Sequence, residues 1–364
     1  MDKLKAFLAR KGIVCSFKQY GVDALGAMAQ GLFCTLLVGT ILNTLGQQLH
    51  IGFLTAPIVS VGTVSYTVGG LASAMVGPGI AVAIGSALRC PPLVLYSLIP
   101  VGFAANAMGG AGGPLAVYAV TIIAAELGKL ISKETRIDIL VTPCVTVIAG
   151  IAVAQLIAAP IGSAARAVGL AIMWATELQP FFMGMLVSSL IGIALTLPIS
   201  SAAICAAFGL TGLAGGAAVA GCCAQMVGFA VMSFKENRWG GLVAQGVGTS
   251  MLQMPNILKN PRIWIPPTLA SMITGPLATC IFQLQMNGSP VSSGMGTCGF
   301  VGQIGVYTGW VSDMAAGTKA AITPMDWIGL LLICFILPAV LSTLFCRILE
   351  KRGWIREGDM KLDL

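Results

Sequence analysis

Apolar runs of about the length needed to cross a bilayer recur along the whole chain, and they limit what it can fold into. The clearest cover residues 24–45, 93–107, 115–131, 139–161, 181–198, 217–232, 263–282 and 328–349. Two longer stretches, 53–88 and 200–232, carry internal Gly and Pro. Each reads as two helices, or as one helix with a re-entrant segment. A soluble chain of 364 residues must cover its core with a hydrated surface, and charged residues at 9% of the chain are too few for that. Contact with lipid removes the requirement. An apolar content of 57% also excludes disorder. The expected fold class is an all-α polytopic membrane protein, with about ten transmembrane helices, broken or re-entrant segments and an internal repeat.

A net charge of +7 raises the question of nucleic acid. The basic residues sit instead at the two ends and in short gaps between apolar runs, so no nucleic-acid partner is expected. That distribution is the one left by loops held at a cytoplasmic face. Residues 1–20 place Lys3, Lys5, Arg10, Lys11 and Lys18 among Leu4, Phe7, Leu8, Ile13 and Phe17. They read as an amphipathic segment on the inner leaflet, with membrane lipids as its partner. Residues 21–349 form the transmembrane transporter domain, and residues 350–364 a short cytoplasmic tail. Both termini are therefore expected in the cytoplasm, and no cleavable signal peptide is evident. A faint repeat runs through the middle. Gly109-Gly110, a span, a basic gap with Lys129, Lys133 and Arg136, and Thr142-Pro143 are echoed by Gly240-Gly241, a span, a gap with Lys259 and Arg262, and Pro266-Pro267. The repeats would cover about 24–165 and 166–312.

Interrupted hydrophobic segments point to a transporter's binding site, because non-helical backbone at membrane depth survives only against protein or a wet cavity. Asn-Ala-Met-Gly-Gly-Ala-Gly-Gly-Pro from Asn106 is such a break, and Gly110 and Gly112 would let backbone line a cavity. Gln253 and Asn256 are three apart and share a face if helical, and their amides suit hydroxyl groups. Gln225 is a further intramembrane amide whose other reading is a hydrogen bond between helices. Glu236 and Asn237 lie in a charged segment that is either a plain cytoplasmic loop or a cavity mouth. Glu177 is either a cavity-facing acceptor or a carboxylate stabilised by a helix N-terminus. The expected substrate-binding set is Asn106, Gly110, Gly112, Glu177, Gln225, Glu236, Asn237, Gln253 and Asn256. Glu126 reads as a helix-end ion pair with Lys129, and Asp326 as a first-turn cap. Asp313 is a further acid near an apolar segment.

No catalytic set emerges. His50 is the only histidine, which leaves a Ser/His/Asp triad without basis. Eleven cysteines include no Cys-x-x-Cys pair and read as small buried hydrophobes, so neither a metal nor a cofactor is expected. No Gly-Lys-Ser/Thr closes the Gly-rich stretches, and no nucleotide-binding domain is present, so ATP-driven transport by this chain alone is excluded.

Four strings carry a resemblance: Gln-Pro-Phe-Phe-Met-Gly-Met-Leu-Val from Gln179, Leu-Thr-Leu-Pro-Ile-Ser-Ser-Ala-Ala-Ile from Leu195, Ala-Gln-Met-Val-Gly-Phe-Ala-Val-Met-Ser-Phe-Lys-Glu-Asn from Ala224, and Pro-Asn-Ile-Leu-Lys-Asn-Pro-Arg-Ile-Trp-Ile-Pro-Pro-Thr-Leu from Pro255. The chain resembles bacterial phosphotransferase-system sugar-permease subunits IIC of the perfringolysin-regulator-like type. The resemblance implies a permease of the bacterial inner membrane, working as a homodimer by alternating access, with phosphotransferase-system carrier subunits as partners. The substrate would be a small polar or anionic metabolite, nominally a sugar. The Gly-Ile-Thr-Glu-Pro signature of better-known sugar permeases of that system has no clear match; Ile322-Thr323-Pro324-Met325-Asp326 is a faint echo. A membrane-embedded sensor that binds a ligand without moving it is the alternative.

Overall fold

The structure, a computed structural model, describes residues 7, 10–13 and 16–362. Helix makes up 79% of it. The chain divides into two compact units, Met1–Ala164 and Ala165–Leu364.

In the first unit α1 (Lys18–Gln48) leads to a small exposed hairpin of β1 (Val59–Val61) and β2 (Val64–Tyr66). Thr67 then caps α2 (Val68–Ala74), accepting from the Gly70 N–H at 3.0 Å. A 54° bend joins α2 to α3 (Val76–Ala87). Glycine lets this pair return tightly along α1, with Gly79 against Gly31 and Gly69 against Gly39. By composition Pro92–Ile131 is a single apolar string of 40 residues. It folds back at Gly110, whose φ of +52° lies in a region that glycine enters freely. The arms, α4 (Pro92–Gly109) and α5 (Gly113–Ile131), lie antiparallel, with Val94 beside Gly128 and Asn106 beside Gly113. At 18 and 19 residues each arm is about 27–28 Å long, close to the thickness of a hydrocarbon core. The last helix, α6 (Asp138–Thr176), has 39 residues, or about 58 Å, and carries the chain into the second unit.

This packing sorts the first unit's charge. Lys18, Arg89, Lys129, Lys133 and Arg136 all fall where α1, α4 and α6 begin and α3 and α5 end. Residues 24–88, 90–125 and 139–164 contain no Asp, Glu, Lys or Arg. Lys129 is 1% exposed and pairs with Glu126 at 3.1 Å, the ion pair expected from their spacing. Half of the expected amphipathic N-terminal segment lies outside the described residues. Within it Arg10 and Lys11 both bind the Glu134 carboxylate, Arg10 at 3.0 Å, and the hydrogen bond from Lys11 lowers that carboxyl's pKa.

In the second unit α8 (Gly212–Met232) forms the centre, and 94% of its apolar window is buried. It reads Gly-Leu-Ala-Gly-Gly-Ala-Ala-Val-Ala-Gly-Cys-Cys-Ala, small or apolar on every side, which is the signature of a helix enclosed by others. Around it pack α7 (Pro180–Thr196), α11 (Ile265–Pro276) and α13 (Pro324–Lys351). Gly221 rests on the Ser188 carbonyl, and Gly184 on Gly275. The expected cap is present: Thr323 and Asp326 form a reciprocal capping box at the start of α13.

Among the described residues five helices are long and apolar enough to cross a membrane, or six with the bent pair, against the expected ten or so. Two causes are visible. The α4–α5 string is one segment by composition and two arms in space. At 17 residues α7 is short, and residues 234–264 are broken into pieces.

A Gly221→Ala exchange would drive a methyl group into the Ser188 carbonyl. It should lower stability by about 1–3 kcal/mol, read as a lower thermal midpoint in detergent. An unchanged midpoint contradicts the close packing of α7 on α8.

Candidate functional site

Below Met232 the second unit stops being regularly helical. Short α9 (Phe234–Val243) contains Arg238 at φ +51°, and a π-helical turn, Ala244–Gly248, follows it. Thr249 is extended, and a 3-10 turn, Ser250–Gln253, leads into α10 (Met254–Lys259). Side-chain amides gather at these breaks. Gln245 donates to the Ser233 hydroxyl at 2.8 Å and to the Gly241 carbonyl at 3.0 Å. Gln253 donates to the Gln245 side-chain oxygen at 2.8 Å, and Asn256 to that of Gln253 at 2.9 Å. The three amides form one buried chain.

The C-terminal segment docks onto this chain. The Met360 carbonyl accepts from Asn237 Nδ2 at 2.8 Å and from Gln253 Nε2 at 2.9 Å, and the Lys361 carbonyl accepts from Asn256 Nδ2 at 2.8 Å. Glu236 receives the Gly358 and Met360 N–H groups on its two oxygens at 2.9 and 3.0 Å. Asn237 Oδ1 receives the Leu362 N–H at 2.8 Å. Burial raises the Glu236 carboxyl's pKa against the opposing pull of those N–H donors, and Asp359 and Glu357 add to the rise. Ile355 and Met360 are buried, and Arg262 lies 5.2 Å over the Trp354 ring. Beside the segment a cavity of about 250 Å³ is lined by Asn256, Lys259, Gly358, Asp359 and Lys361. The expected cytoplasmic tail is thus folded against the body of the unit, on residues expected to bind substrate.

A polar basin of about 450 Å³ occupies the other end of α13. Trp310 and Asp313 of α12 (Val301–Ala315), Lys319, Asp326, and Gln285 and Asn287 of the irregular segment before Pro290 line it. Asn287 Nδ2 donates to Asp313 at 2.8 Å, Lys319 to Asp326 at 2.9 Å, and the Lys319 ammonium stands 5.8 Å over the Trp310 ring. Sequence reasoning named Asp313 and Asp326 but not the basin. The available signal was Trp310 three residues before Asp313, an aromatic and an acid on one helix face.

Of the expected set, Glu236, Asn237, Gln253 and Asn256 come together, in the cradle of the C-terminal segment. Gln225 joins a separate buried cluster. Its oxygen accepts from Trp264 Nε1 at 3.0 Å, its nitrogen donates to Thr268 at 3.2 Å, and Thr196 bridges it to Ser250. This is the interhelical reading of that amide. Glu177 lies exposed in the turn before α7, away from the cradle's hydrogen bonds. Asn106, Gly110 and Gly112 belong to the first unit, at the fold of the α4–α5 hairpin, where the Gly112 backbone meets Ile161.

Apolar helices around a small-residue core, charge gathered at helix ends and buried amides at helix breaks define a multi-pass membrane permease. The family model described as "Phosphotransferase system, EIIC" matches residues 22–362, both units and the docked C-terminal segment included. The chain belongs to that family, and it is a sugar-permease subunit of the phosphotransferase system, a transporter whose partners are components of that system. No curated protein and no solved structure matches it.

Glu236→Ala removes the acceptor for two backbone N–H groups. Hydrogen exchange at Gly358 and Met360 should quicken by about tenfold or more, as expected for lost bonds to a charged group. Exchange at the wild-type rate contradicts the docking.

Proposed function

We propose that the sugar passes along the second unit by alternating access, between the basin at the start of α13 and the cradle beyond its end. The observation that carries this reading is the placement of the two polar sites. The 28 residues of α13 separate them by about 42 Å, and the helices between are mostly apolar or small. Sugar hydroxyls both donate and accept, which suits the mixed amides and carboxylates at either end. Glu177 and Gln225 stay in the proposal as secondary contacts, Gln225 as a polar step partway along α8, and Asn106, Gly110 and Gly112 stay in it as a break within the first unit.

The cradle end carries Lys235, Arg238, Lys259, Arg262, Lys351 and Arg352, whereas the basin end has Glu177, Asp313 and Asp326 with Lys319. The excess of Lys and Arg supports a cytoplasmic cradle, cytoplasmic termini and a bacterial inner membrane. Phosphoryl transfer is left to carrier subunits docking at the cationic end. The boundary at Ala164 supports repeats of about 24–165 and 166–312. A homodimer is the assembly the resemblance implies, and the mass in detergent tests it.

Uptake into proteoliposomes decides the function. Saturable uptake of a sugar is expected, and Asp313→Asn should raise its KM about tenfold by removing the carboxylate that holds Asn287. No saturable uptake across a panel of sugars and organic acids contradicts permease function. Normal uptake by Asp313→Asn contradicts the route through the basin.

A further inference from the structure

We infer that residues 354–362 are a removable strap that competes with substrate for the cradle. The inference rests on reading the cradle as part of the sugar path, and it assigns that site a regulatory occupant. The strap is recognised through its backbone. Five main-chain groups, the Met360 and Lys361 carbonyls and the Gly358, Met360 and Leu362 N–H groups, meet only Glu236, Asn237, Gln253 and Asn256. Such a pattern of alternating donors and acceptors can be reproduced by neighbouring hydroxyls of a sugar ring, each of which plays both parts. Asn237 is bidentate, giving to one carbonyl and taking from one N–H, as an amide does with a pair of adjacent hydroxyls.

Asn260 adds two contacts, donating its Nδ2 to the Trp354 carbonyl at 3.0 Å and to the Asp359 carboxylate at 2.7 Å, and Arg262 lies over the Trp354 ring. Ile355 and Met360 are the strap's buried side chains, while Arg356, Glu357, Gly358 and Lys361 stay exposed. Gly358 sits at φ +95°, a turn that glycine tolerates and other residues resist. The strap does not fill its surroundings, because the cavity of about 250 Å³ opens between it and Asn256 and Lys259, where an incoming ligand can begin the exchange. The amides beneath it do not depend on it. Gln245, Gln253 and Asn256 keep their own chain of hydrogen bonds when the strap leaves, so the cradle stays shaped for a second ligand.

Hydrogen–deuterium exchange on the full-length chain in nanodiscs tests this without a variant. A panel of unmodified aldohexoses and hexitols is added, and uptake of the same sugars is measured in proteoliposomes of the same preparation. A transported sugar should speed exchange of the 357–362 peptide at least tenfold and leave α8 unchanged. A chain cut after Gly353 should then take up that sugar several-fold faster, and a synthetic peptide of residues 354–362 should slow it again. Uptake with the strap's exchange unmoved overturns the strap and leaves the permease reading standing. Absence of uptake by both full-length and cut chains overturns the reading beneath it, and the strap with it. Should the cut chain fail to fold, Ile355→Asp in the full-length chain must give the same acceleration, and wild-type uptake by it overturns the inference.

Discussion

Inside a bilayer a backbone N–H or carbonyl has no water to fall back on, and the rest of this structure follows from how that demand is met. Over most of the chain it is met by unbroken helix, which lets the side chains be apolar outward and small inward. In the second unit Gly221 and Gly184 bring neighbouring backbones into contact where bulky residues would hold them apart. Between Ser233 and Trp264 the helix fails repeatedly, and there buried amides bond to one another. The relay of Asn256, Gln253, Gln245 and Ser233 is the result. A polar site is therefore a by-product of broken helix, and its amides are already oriented by one another before any ligand arrives.

Much of this was legible in the sequence. The apolar runs give the helical membrane fold, and the gaps between them give the charged ends. The capping box at Asp326 and the Glu126–Lys129 pair follow from short spacings, because local partners are visible to sequence reasoning. The break at Asn106–Pro114 was legible as a break, although not as the fold of a hairpin. Composition does not distinguish one long apolar string from two antiparallel arms. That difference turns on the single backbone angle at Gly110.

What stayed hidden depends on long-range pairing. The C-terminal segment is bound largely through its backbone groups, with Trp354, Ile355, Asp359 and Met360 adding side-chain contacts whose partners lie far off in sequence. Glu236 and Met360 are brought together across the whole second unit. Gln225 looked like a cavity group, and its partners Trp264, Thr268 and Thr196 show why a buried amide is as readily a lock between helices. The basin was missed because Asn287 lies 26 residues before Asp313, and only the fold sets it against the local group of Asp313, Lys319 and Asp326.

On the proposed route the two polar sites of the second unit open to opposite sides of the membrane. Single cysteines placed at Asp313 and at Lys361, in a background without reactive native cysteines, can be labelled with a membrane-impermeant thiol reagent in intact cells and in inverted vesicles. The position in the basin should react only from outside, and the position on the C-terminal segment only from the cytoplasmic face. Labelling of both from the same face would contradict the account.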